Sequence, residues 1–111
     1  MTQPAPLAAL DAITDGGFIE AEAAIDGDLE SIVIHRHGGQ VTAFLNICPH
    51  AGRRLDWSPG QFLKSREGHL VSAAHGAFFA LDSGQCIAGP CKGDRLRAVA
   101  VTVRDGQVVL E

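Results

Sequence analysis

Glycine-centred turn signals cut this chain into short pieces, and that punctuation limits its fold more than any other feature. Asp26-Gly27-Asp28, His37-Gly38-Gly39, Arg66-Glu67-Gly68, Asp82-Ser83-Gly84 and Asp105-Gly106 separate runs rich in β-branched and aromatic residues. Glycine supplies the positive φ that tight hairpin turns need. The spacing predicts paired strands over 31–36 and 40–45, 62–65 and 69–72, 77–81 and 85–87, and 98–104 and 107–110. Phe18–Ile25 alternates polar and apolar residues and adds one more strand. No stretch carries useful helical periodicity. The expected fold class is all-β, a sandwich or small barrel. The Pro- and Ala-rich residues 1–17 read as a loose segment with one short helical turn around Leu7–Ile13.

At 111 residues the chain suits a single domain, 1–111, able to bury roughly two-thirds of its unfolded surface. A net charge of −4 argues against a nucleic-acid partner or an anionic membrane, either of which wants a basic face. No apolar run reaches the roughly 18–20 residues a membrane span requires. Met1–Ile13 lacks a basic start and is interrupted by Asp11, so a cytoplasmic location is expected. Three cysteines, an odd number, do not make a secreted disulfide framework.

The chemistry concentrates in two stretches, Cys48-Pro49-His50 and Ser72-Ala73-Ala74-His75. Each ends in an imidazole, is closely followed by glycine (Gly52, Gly76), and hangs from the end of a predicted strand. A Cys-x-His beside a second loop spaced four residues from first to last position is a metal-loop pattern. Bland readings compete with it elsewhere. Cys86 and Cys91 read as structural thiols, His35 and His37 as solvated turn residues, and His69 as a surface residue. Trp57 and Phe62 are expected to pack the lobe that carries the two stretches, and Arg53 and Arg54 to be solvated loop charges. Hydrolytic pairs, Cys48 with a histidine or Ser72 with His75, lack an orienting third group or an oxyanion turn.

Three blocks in order carry a family resemblance: Asn46-Ile47-Cys48-Pro49-His50-Ala51-Gly52, His75-Gly76-Ala77-Phe78-Phe79, and Gly84-Gln85-Cys86-Ile87-Ala88-Gly89-Pro90. Together they resemble the Rieske iron–sulfur domain, most closely the small soluble Rieske-type ferredoxins, over about residues 18–111. The resemblance implies a β-sandwich base with a smaller cluster-binding lobe, about residues 46–92, and a Gly-Pro segment packed as a third loop beside the cluster. It implies a 2Fe-2S cofactor with Cys48 on the inner iron and His50 and His75 on the outer one. It further implies an electron-transfer protein that is not itself an enzyme, passing single electrons from a reductase to an oxygenase or similar acceptor. No flavin or nicotinamide motif is present, so the reductase is expected to be another chain.

Position 72 departs from the pattern, since the second thiolate of the inner iron is expected there and the residue is serine. A hydroxyl is a weaker acid and a harder donor than a thiol. Three arrangements are open: Ser72 ligates through oxygen, Cys86 or Cys91 substitutes, or no cluster forms. In the last case Cys48, His50 and His75 make a three-ligand pocket for mononuclear zinc or iron, in a degenerate binding or accessory protein. High-potential members of the family join their ligand loops by a disulfide. Arg53 and Ala74 occupy those positions here, Ala77 replaces a serine whose hydroxyl would reach sulfur, and the chain has no tyrosine. If a cluster forms, the resemblance implies a low-potential, ferredoxin-like centre.

Overall fold

The computed structural model describes residues 6–49, 52, 54–72, 76–89 and 92–111. Among these, eleven strands form three antiparallel sheets, with one 3-10 turn at Leu10–Ala12. No helix among the described residues is long and apolar enough to cross a membrane.

The first sheet contains β2 (Phe18–Ile25), β3 (Asp28–His37), β4 (Gln40–Leu45) and β9 (Ala98–Val99), in that order. Asp26 and Gly27 close the β2–β3 hairpin with φ of 53° and 88°, the double positive φ whose twist suits paired strands. In β3 the run Ile32-Val33-Ile34 is fully buried, because this sheet is covered on both faces. Ile32, Ile34 and Ala43 join one core with Ile13, Ala23, Val99 and Val108. Val33 and Phe44 join the other, with Leu55, Leu70, Phe79 and Leu96.

The second sheet, β1 (Ala8–Ala9), β11 (Gln107–Leu110) and β10 (Val101–Arg104), covers the first core. Asp105 and Gly106 (φ 53° and 75°) make the expected two-residue turn between its long strands. Two details differ from the sequence reading. Residues 98–104 do not form one strand: β9 pairs with β4 and β10 with β11, the chain passing between sheets at Ala100. The N-terminal segment is not wholly loose either, since Ala8 and Ala9 pair with Val108 and Gln107 beside the expected short turn. A two-residue strand carries too little periodicity to be read in advance.

The third sheet, β5 (Leu63–Lys64), β6 (Leu70–Val71), β7 (Phe78–Phe79) and β8 (Cys86–Ala88), lies across the second core and makes up the small lobe. Glycine fixes its approach to the first sheet. A Cβ on Gly84 would stand 2.7 Å from the Phe44 ring, so no larger residue lets the β7–β8 turn settle there. The fold is therefore nearly all-β, as expected.

Candidate metal centre

Both chemical loops leave strand ends and reach the buried side of the small lobe. β4 runs through Asn46 and Ile47 into Cys48, whose thiol is free and wholly buried among Val33, Leu55, Leu70, Ala77 and Phe79. β6 runs directly into Ser72, which is also wholly buried.

The two loops share one backbone device. The Gly52 N–H donates to the Cys48 carbonyl at 2.9 Å, and the Gly76 N–H donates to the Ser72 carbonyl at 2.8 Å. Both glycines have left-handed φ, 65° and 68°. In both stretches the residue with the buried side chain accepts a backbone bond from the glycine four residues on. Ser72 holds the same station in its turn that Cys48 holds in its own.

That station leaves Ser72 with an unusual deficit. Its Oγ is buried and has no hydrogen-bond partner among the described residues. An unmet buried hydroxyl costs about 1–3 kcal/mol, so such atoms are rare unless something else takes them up. A buried hydroxyl left in that state fits a bound group that would claim its oxygen. One thiol and one hydroxyl at matched stations thus fit the inner half of a two-iron centre, with oxygen in place of one sulfur.

The other predicted site residues divide cleanly. His50, His75 and Cys91 lie outside the described residues, as do Arg53 and Ala74. Among the described residues no three His, Cys, Asp or Glu side chains converge on one point. Cys86 is buried, and its Sγ lies 3.3 Å from the Ala88 carbonyl of its own strand, the placement of a structural thiol. Pro90 lies outside the described residues, and the third loop is described up to Gly89. A Cβ there would stand 2.7 Å from Ala77 Cα, so this glycine seats its backbone directly on the end of the second loop.

Some expectations for the surroundings fail. Trp57 is 59% exposed and packs nothing substantial, whereas Phe62 lies against the second core with its ring 5.8 Å from Phe18. His35 is not a solvated turn residue. It is buried on β3 with its ring 5.0 Å from Phe18 and its Nε2 unpartnered. Burial, reinforced by the nearby Lys64 ammonium, pulls its pKa below the ordinary imidazole value and favours the neutral ring. Arg54 is not a free loop charge, since it is paired with both Glu20 and Asp56. Sequence reasoning also passed over Asn46, which is 1% exposed two residues before Cys48. A lone polar residue at a strand end gives no signal of its partners.

Comparison with known proteins places this geometry. The family model of the Rieske [2Fe-2S] domain matches residues 9–105, and the chain belongs to that family. Among solved structures it resembles the ferredoxin of carbazole 1,9a-dioxygenase from Nocardioides aromaticivorans IC177, with 25% identity, 98% of this chain and 97% of that one covered, and a TM-score of 0.75. It also resembles a candidate nitrite reductase NADPH small subunit, with 26% identity, 99% of each chain covered and a TM-score of 0.66. The Sphingomonas yanoikuyae B1 ferredoxin shares the fold at 20% identity, with 98% of each chain covered and a TM-score of 0.71. No curated protein matches the chain significantly.

Proposed function

We propose that this chain is a small Rieske-type electron carrier that accepts single electrons from a separate reductase and passes them to an oxygenase or similar acceptor. In this reading Cys48 and Ser72 would hold the inner iron of a [2Fe-2S] group, and His50 and His75 the outer iron. Bound there, the group supplies reversible one-electron transfer. The chain's own residues do the rest. Cys48 and Ser72 bury the inner side among Leu55, Leu70 and Phe79 and keep water from it, and the two glycine-closed turns fix where the donor atoms sit. The likeness to a ferredoxin of a dioxygenase over nearly the full length of both chains supports the role, and the unpartnered Ser72 Oγ carries the site assignment.

The test is an anaerobic preparation analysed for iron and acid-labile sulfide, with EPR after reduction. Two irons and two sulfides per chain with a rhombic Rieske-type signal are expected. A colourless chain without sulfide, even after reconstitution, would overturn the reading. Serine at position 72 favours one second reading, a cluster-free accessory protein holding mononuclear zinc or iron through Cys48, His50 and His75. Zinc or iron at one per chain without sulfide is its signature. The same reading expects a cytoplasmic, single-domain protein.

A further inference from the structure

The first metal loop is closed at its neck by side chains that the electron-carrier reading does not use. Asn46 enters the loop and Leu55 leaves it, and the buried Leu55 N–H donates to Asn46 Oδ1 at 2.9 Å. Asn46 is itself fixed to β3. Its backbone N–H donates to the Ser31 carbonyl at 3.0 Å, and its Nδ2 donates to Ser31 Oγ at 3.1 Å. The Ser31 hydroxyl then donates to Glu20 Oε2 at 2.6 Å.

The outgoing arm is fixed to the same carboxylate. Arg54 donates through Nη2 to Glu20 Oε2 at 2.6 Å and grips Asp56 with Nε and Nη2 at 3.0 and 2.7 Å. The Asp56 side chain is 2% exposed and also accepts the Gly60 N–H at 3.0 Å. Glu20 on β2 thus receives both ends of the loop, one through Ser31 and Asn46 and the other through Arg54. Each bond pairs a donor with an acceptor, and the most buried carboxylate has both a cation and an N–H. Such a closed network holds a single geometry. The chain between Asn46 and Leu55, which contains Cys48 and His50, is left as a short tethered span.

We propose that Asn46, Ser31, Glu20, Arg54 and Asp56 form a clasp that sets the first metal loop before any metal arrives, and so determines how firmly the loop retains it. The second half of this statement rests on the electron-carrier reading; the first half does not. Asn46 is the central positioning residue, because from the incoming arm it bonds both the outgoing arm at Leu55 and the sheet at Ser31. A loop closed in advance loses less conformational freedom on binding than an open one. The second loop has no such clasp among its described bonds, and its backbone instead rests under Gly89.

The experiment uses the full chain with Ser31→Ala, which removes one hydroxyl from β3, far in sequence from the loop. Ser31→Thr restores a hydroxyl. Amide hydrogen exchange is followed in metal-free protein at Leu55, with Ser72 and Gly76 as controls in the other loop. Release of iron to a chelator is followed after loading with iron and sulfide. In the parent, Leu55 should be protected at least about 100-fold without metal. Ser31→Ala should speed its exchange at least about 10-fold, leave Ser72 and Gly76 within about twofold, and shorten iron retention at least about threefold; Ser31→Thr should recover both. The inference is overturned if Leu55 is unprotected in metal-free parent, if all three amides accelerate together, or if iron release is unchanged while Leu55 loosens. A chain that never loads iron and sulfide but shows the Leu55 effect sinks the electron-carrier reading and leaves the preformed clasp standing.

Discussion

The two candidate loops, which begin at Cys48 and Ser72, share one backbone bond and are secured by opposite means. In each, a left-handed glycine four residues on donates to the carbonyl of the donor residue, Gly52 to Cys48 and Gly76 to Ser72. The first loop is then anchored by side chains, through Asn46, Arg54 and Glu20. The second is anchored by backbone, through the Ser72 N–H on the Ala77 carbonyl at 2.7 Å and the close approach of Gly89 to Ala77. The difference separates two jobs that a metal site usually merges. Turn geometry decides where a donor atom stands, and the residue at the first position decides what that donor is. Ser72 and Cys48 thus stand at the same position relative to their glycines, Gly76 and Gly52, and differ in side-chain chemistry alone.

The sharpest way to break this comparison is to make the loops chemically alike. Cys48→Ser would leave two oxygens and no thiolate, and iron and sulfide content should fall to background. The reverse change, Ser72→Cys, should lengthen retention of the iron–sulfur group in air at least about tenfold, because thiolate suits iron–sulfide bonding better than alkoxide. Metal analysis and the decay of visible absorption check both. Equal retention in parent and Ser72→Cys would show that position 72 contributes no ligand.

The backbone anchor of the second loop is tested at Gly89. Gly89→Ala forces a Cβ to within 2.7 Å of Ala77 at a φ of +100°, and should cost roughly 2–4 kcal/mol from overpacking and left-handed strain combined. Chemical denaturation of the metal-free chain measures it. A cost under about 0.5 kcal/mol would mean that the third loop yields freely and does not seat the second.

How far the sequence could be read follows the same division between backbone and side chain. Hairpins were legible wherever glycine or Asp-Gly sat between β-branched runs, as at Asp105-Gly106, because one local conformation decides the turn. The placement of Cys48 and Ser72 at strand ends was legible because the runs that lead into them are strand-like in the sequence itself. The passage of the chain from β9 to β10 was not, since which sheet a strand joins depends on distant partners. Nor was the clasp. Glu20 and Arg54 are 34 residues apart, and nothing near either announces the other. His35 was misread for a related reason, since its proximity to Gly38-Gly39 suggested solvent while its place on β3 turns it toward Phe18.

Ser72→Ala asks a finer question of the second loop, because it separates the metal-free from the loaded chain. The Ser72 Oγ makes no hydrogen bond among the described residues, so its removal relieves an unmet buried polar atom and should raise the stability of metal-free protein by about 1 kcal/mol. The same change should weaken iron retention. Opposite signs in the two states are the mark of a residue kept for binding at some expense to the fold. A loss of stability in the metal-free chain would mean that the hydroxyl has a structural partner.

The smallest expected effect concerns acid, and it reads the first sheet beneath both loops. Neutral His35 is favoured by burial and by Lys64, so its folded pKa lies below the ordinary 6.5. The unfolded chain then binds a proton before the folded chain does. The stability from His35 is fully present above pH 6.5 and declines as pH falls from there toward its folded value. Glu20, lowered by the Ser31 hydroxyl and Arg54, loses its contribution only below about its ordinary 4.5. Asp56 follows below 3.8, where Arg54 and the Gly60 N–H outweigh the upward pull of its burial. Two windows should appear in denaturation midpoints of metal-free protein, the upper from His35 and the lower from the clasp. The parent profile is compared with His35→Phe, which keeps a ring against Phe18. The His35→Phe profile should be flatter as pH falls from 6.5 and should keep the lower window that belongs to the clasp. Identical slopes in the upper window would mean that His35 takes up its proton as readily folded as unfolded, and that its burial has no consequence for the fold.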